Sequence, residues 1–280
     1  MKRKTYLFLV IFLLLTSFSL SQGLKDIKIS LEEKQIKDLS PSGVTLVFYI
    51  NIKNSSSKPY FLSRYHYRFV VNQKEYFRLQ TSPEEGIEIN APGKTIIALP
   101  VKITYDLLFQ IADELRKEDK ALCYLMGELR FSDGRKDKGG VPFAFSGEFP
   151  IFREPDIEFV ALKSNDLTIG GADLNFEVKF TNRNGFEMLL DRISYTLKFG
   201  GHPINEGTIA GDKSIESHGE KIFSILLLLN FFEVGKDVYS VLQQPSTFCN
   251  FSGEIEVRTI WGKIKIPFVK SGTIPITNGV

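Results

Sequence analysis

The sequence predicts a mainly β protein of two tandem antiparallel β-sandwiches, each carrying one amphipathic α-helix. Three observations predict it. Apolar residues alternate with period two through most of the chain, the alternating stretches return in the same order in its second half, and one segment in each half follows helical spacing instead. The 280 residues, 43% hydrophobic and 24% charged, are ordinary for folded domains, and the length suggests two of them. Lys and Arg number 35 against 33 Asp and Glu, with the small excess in Lys2, Arg3 and Lys4. Such a balance excludes a generally basic nucleic-acid binder. Two Cys and three His are too few for a zinc framework or a disulfide scaffold.

Taken in order, the chain opens with Lys2, Arg3 and Lys4, an apolar stretch over residues 6–15, and small or polar residues over 16–21. That is the layout of a secretory signal peptide, residues 1–21, with Ser19 and Ser21 at the positions a signal peptidase reads and Gln22 as the new N-terminus. The expectation is an exported protein, periplasmic or secreted. An uncleaved N-terminal anchor is the alternative, although the apolar stretch is shorter than the ~20 residues a spanning helix needs. The later apolar run, residues 222–232, is interrupted by Ser224 and Asn230, so no transmembrane segment is expected in the mature chain.

The rest reads as one unit written twice, over residues 24–152 and 156–276, joined by Arg153, Glu154 and Pro155. Residues 44–54 align with 172–182, Leu62 and Arg64 with Leu190 and Arg192, Tyr67 with Tyr195, Cys123 with Cys249, and Gly127 with Gly253. Within each unit Leu46, Phe48, Ile50 and Ile52, and then Leu174, Phe176, Val178 and Phe180, occupy alternate positions of a half-buried strand. Turn signals stand at Asn72-Gln73, Pro92-Gly93, Asp133-Gly134 and Gly200-Gly201. About seven short strands with turns at this spacing point to an immunoglobulin-like sandwich. The helices are expected over residues 105–117 and 231–243, with Thr104 and Asn230 as N-caps and Glu233 completing a capping box.

A unit with an Asn ending its second strand, a Gly-containing turn before a long apolar strand and a helix before the last hairpin resembles the water stress and hypersensitive response (WHy) domain. That domain defines the group 2 late embryogenesis abundant (LEA type 2) proteins. The resemblance rests on residues 44–54, 62–71, 92–103 and 127–131 and their second-half partners, and so covers nearly all of the mature chain. It implies a folded protein linked to desiccation and other stress responses, without established catalytic residues.

The residues themselves give little chemistry. His66, His202 and His218 lie at no metal-ligand spacing, so plain surface or strand histidines are expected, and no metal or cofactor. Cys123 and Cys249 share strand parity with inward Leu125 and Phe251, which predicts buried free thiols. Arg64 and Arg192, retained in both units, are candidates for a structural contact or a shared anion contact. Tyr60, Phe61 and Tyr65 in one unit, and Phe231 and Phe232 in the other, are read as exposed aromatics able to touch an apolar ligand or a partner. The very apolar stretch 225–229 before Phe231 makes the second unit the better candidate for a ligand cavity. The expected function is stress-protective or ligand-binding and non-enzymatic. The alternative is a structural or adaptor module of the cell envelope, peripherally associated and bound to a protein partner.

Overall fold

The structure, a computed structural model, describes residues 24–278. The signal segment expected over residues 1–21 lies outside the described residues. The chain is mainly β. In its first half, β1 (Ile27–Ser40), β2 (Gly43–Asn54) and β6 (Gly93–Thr104) form one sheet in the order β1-β2-β6. Facing it is a sheet in the order β4-β3-β7-β8, made of β3 (Tyr60–Val71), β4 (Lys74–Thr81), β7 (Lys120–Ser132) and β8 (Asp137–Pro150), with β5 (Ile87–Ile89) paired to β3. The alternation read from the sequence closes this sandwich. Leu46, Phe48, Ile50 and Ile52 are buried, and Phe48 meets Phe69 of the opposite sheet edge-on at 6.3 Å.

From Asp156 onward come β9 (Asp156–Leu167), β10 (Gly171–Thr181), β11 (Met188–Phe199), β12 (His202–Ile215), β13 (Glu220–Asn230), β14 (Ser246–Thr259) and β15 (Gly262–Asn278). Phe176 of β10 packs against Phe251 of β14 at 5.4 Å and Phe199 of β11 at 6.2 Å, so the same kind of core is built between facing strands. One departure from a purely antiparallel sandwich is the end of β15, where Ile276–Asn278 pairs in parallel with Leu162–Ser164 of β9. Through it the strands connect in the single order β12-β11-β14-β15-β9-β10-β13.

Turn chemistry sets the registers. Gly200 (φ 55°) and Gly201 (φ 87°) make the two-residue turn that pairs Phe199 with His202, and Asn72 (φ 47°) and Gln73 (φ 67°) do the same between Val71 and Lys74. Positive φ at both central residues suits the right-handed twist of a hairpin, and side chains other than Gly tolerate it only at some cost.

The two helical segments differ from the single helices expected. Residues 105–117 form α1 (Tyr105–Ile111), and after Ala112 leaves helical geometry (φ −138°, ψ 75°) a 3₁₀ turn follows over Asp113–Lys117. Breaking there lets Leu115 bury alongside Leu108. Residues 231–243 divide into α2 (Phe231–Val234) and α3 (Lys236–Leu242) at Gly235, whose φ of 99° only Gly adopts readily. Thr104 makes no side-chain cap; its hydroxyl lies 3.4 Å from the Tyr76 hydroxyl, which accepts from the Thr104 N–H instead. Asn230 does cap, accepting from Phe232 N at 3.0 Å, and Glu233 takes a bond from the Asn230 side-chain amide rather than from its backbone.

Cys123 and Cys249 are both free and fully buried. Burial pushes the Cys123 thiol up to about 11 and the Cys249 thiol up to about 12. Because the thiolate is the reactive form, both should resist a soluble thiol reagent at neutral pH until denaturant is added. Rapid labelling of native Cys249, or a native mass lower by two hydrogens, would contradict their placement.

Candidate binding surface

Arg64 and Arg192 owe their common setting to a shared irregularity. The β3–β7 ladder shifts register between Leu62 and Arg64, and the β11–β14 ladder between Leu190 and Arg192. Each bulge inserts one residue, Ser63 or Asp191, and turns the following Arg outward. Their partners then diverge. Arg192 lies 3.8 Å from Glu256 across the ladder, whereas Arg64 faces Arg130, whose guanidinium is held by Glu128 at 3.1 Å and Asp137 at 2.8 Å. The bulged Asp191 takes Arg258 at 2.6 Å and Lys263 at 3.2 Å. Burial raises its carboxyl, and the bonds from Lys263 and Arg258 outweigh that, leaving it below the usual carboxylate range. The two arginines are exposed, and no common anion pocket joins them.

The aromatic candidates do not form one exposed group. The bulge resets strand parity, so Tyr60 and Tyr65 both turn to the core face, partly buried, and Tyr65 stacks on Tyr67 at 6.3 Å. Phe61 is half-buried against the turn at Gly134. In the second half Phe231 is buried and meets Tyr239 edge-on at 5.6 Å, while Phe232 stands free. The expected exposure of Phe231 is therefore corrected: it begins α2 pointing inward, and only its neighbour is available to a partner.

Asn54 and Asn182, each ending its second strand, are buried amides that close loops. Asn54 Nδ2 donates to Lys58 O at 2.9 Å and its Oδ1 accepts from Ser56 N at 3.0 Å; Asn182 repeats the pattern with Phe186 O at 2.7 Å and Asn184 N at 2.9 Å.

A polar junction joins the two halves at the connector. Arg153 N donates to Asn184 Oδ1 at 2.7 Å and Asn184 Nδ2 donates back to Arg153 O at 2.8 Å. The Arg153 guanidinium donates to the carbonyls of Arg116, Glu118 and Arg183 and pairs with Asp119 at 3.1 Å. His218, expected to be a plain surface residue, reaches the other Asp119 oxygen at 2.8 Å from a turn held at φ 54°. Burial raises the Asp119 carboxyl, and the bonds from His218 and Arg153 bring it below its ordinary value. A cleft of about 220 Å³ opens beside this junction, lined by Phe186 and Trp261, whose rings meet edge-on at 4.9 Å. Its carboxylates are already engaged, Glu148 by Lys120 at 2.5 Å and Asp119 as above. Among the described residues no three His, Cys, Asp or Glu side chains are grouped to hold a metal ion.

The remaining conspicuous surface is apolar and lies in the second half. On β13, Leu226 (64% exposed) and Leu228 (68%) point to solvent while Ile225, Leu227 and Leu229 point inward. The apolar run 225–229 is thus split between two faces and does not line a cavity on its own. At the end of the strand Phe231 N donates to Gly170 O at 3.0 Å, and the chain neighbours of these two residues, Phe232 (79% exposed) and Ile169 (86%), are both left to solvent.

Fold and surface together describe a mainly β, sandwich-type protein that leaves several large apolar side chains exposed in its second half, Ile169 and Phe232 among them. Residues 177–272, which run from β10 into β15, match the family model described as Late embryogenesis abundant protein. The resemblance read from the sequence is thereby supported for the second half. No curated protein matches the chain. A crystal structure of a protein from Archaeoglobus fulgidus is similar at 14% identity and a TM-score of 0.34, over 46% of this chain and 97% of that one. Red sea bream transglutaminase is similar at 13% identity and a TM-score of 0.29, over 91% of this chain and 32% of that one. No helix among the described residues is long and apolar enough to cross a membrane.

Proposed function

We propose that this is an exported, non-enzymatic protein of two tandem WHy-type sandwiches, over residues 24–152 and 156–276, with a stress- or desiccation-protective or ligand-binding role. The observation that carries the reading is the pair of exposed apolar residues Ile169 and Phe232, of which Phe232 lies within the stretch 177–272 that matches the late embryogenesis abundant family model and Ile169 just before it. Large apolar side chains left exposed favour contact with the apolar groups of another molecule. The paired bulges at Ser63 and Asp191 and the matching amides of Asn54 and Asn182 support reading the first half as a second copy of the same unit.

Drying a labile test enzyme together with the protein should preserve most of its activity. The double substitution Ile169→Ser with Phe232→Ser should remove that benefit while leaving the melting curve unchanged, since both side chains are exposed. Protection no better than that from an equal mass of an unrelated protein would overturn the reading. A second reading, an adaptor or spacer of the cell envelope, is favoured by the bonded junction at Arg153. It predicts one stoichiometric protein partner captured from an envelope extract.

A further inference from the structure

We propose that the protein forms a two-fold dimer in which β13 pairs antiparallel with β13 of a second copy. β13 ends its sheet, bonded to β10 on one side only. The backbone N–H and C=O groups of such an edge are a template for another strand unless the sequence guards it. The corresponding edge in the first half, β6, is guarded: Pro100 and Lys102 are among its outward residues. On β13 the outward residues between the strand ends are Ile222, Ser224, Leu226 and Leu228, with no charge and no proline.

The occupant is identified by the fit of the strand to itself. With the two-fold axis at Ile225, all eleven residues of β13 find a partner. Ile222 then faces Leu228 of the second copy and Ser224 faces its Leu226, on the outer side. Lys221 faces Leu229, and Glu220 faces Asn230, so no like charges oppose one another. On the inner side Ile225 meets its own counterpart, extending the buried layer across the joint. At ~3.3 Å per residue the shared edge is about 36 Å long, and with the outward leucines it buries on the order of 1,200 Å² over both copies, the lower end for specific interfaces. The dimer is therefore concentration-dependent, and it stands on the β13 edge, independently of the protective role assigned to Ile169 and Phe232.

Sedimentation velocity of the purified protein from about 1 to about 200 μM should show a monomer passing to a dimer as concentration rises. Leu226→Lys and Leu228→Lys should each weaken that association about tenfold or more, and Ile96→Lys on β6 should leave it unchanged. Both leucines are exposed, so unchanged melting of the two variants confirms that they remain folded. A wild-type protein that stays monomeric throughout would overturn the proposal. So would a dimer insensitive to both substitutions, a dimer lost only on Ile169→Ser with Phe232→Ser, or an open-ended series of larger species.

Discussion

Val238→Asp should abolish the cooperative unfolding transition of the second half of the chain in calorimetry and leave that of the first half recognisable. Val238 is fully buried on α3, in the cluster that also holds Phe231 and Leu242. An ionised carboxylate there would be placed among apolar side chains, and burying one unpaired costs several kcal/mol, a large share of a domain's total stability. Leu108→Asp, equally buried on α1, should do the same to the first half. If the broken helices were loose covers over a space for ligand, both changes would be mild in stability. A second transition unchanged in Val238→Asp would refute the packing of α3 as part of that core.

The second large effect is expected at Gly253. It sits opposite Tyr195 in the β11–β14 ladder, as Gly127 sits opposite Tyr67 in the β3–β7 ladder. A Cβ at Gly253 would fall inside contact distance of the Ser194 carbonyl oxygen, and one at Gly127 would meet the His66 carbonyl oxygen in the same way. These are backbone atoms of a paired strand, so they cannot swing aside like the end of a side chain. Gly253→Val should cost about 3 kcal/mol or more and lower the melting midpoint of its half by about 10 °C or more. Gly253→Ala should act in the same direction with smaller size. A melting curve for Gly253→Val within a few degrees of the parent would overturn the close-approach account.

Much of this architecture was legible in the chain because strands write their burial with period two. The inward sets on β2 and β10 follow the alternation residue by residue, and the turn at Gly200-Gly201 follows from the φ that Gly alone adopts without strain. The errors have local physical causes. Tyr65, expected to be exposed, is turned to the core face by the extra residue at Ser63. Phe231 and Phe232 read alike in sequence, yet the change from strand to helix between Asn230 and Phe231 sends them in opposite directions. Gly235 lies within an apolar pattern that fits one helix, and the pattern carries no sign of the turn made there. His218 meets Asp119 across 99 residues of chain, a pairing that depends on how the halves meet. The guarded and unguarded edges of β6 and β13 were present as letters, but only the sheet order shows that both strands are edges.

The bond pair between Arg153 and Asn184 has a mechanical consequence. A hinge needs a residue free to change φ and ψ, and here the connector's own N–H and C=O are both held by one buried side-chain amide, with the guanidinium clamped to three carbonyls behind it. Bending at this point must break several hydrogen bonds at once. The connector should therefore act as a stiff joint, and the backbone amide of Arg153 should exchange its hydrogen far more slowly than that of an ordinary exposed linker.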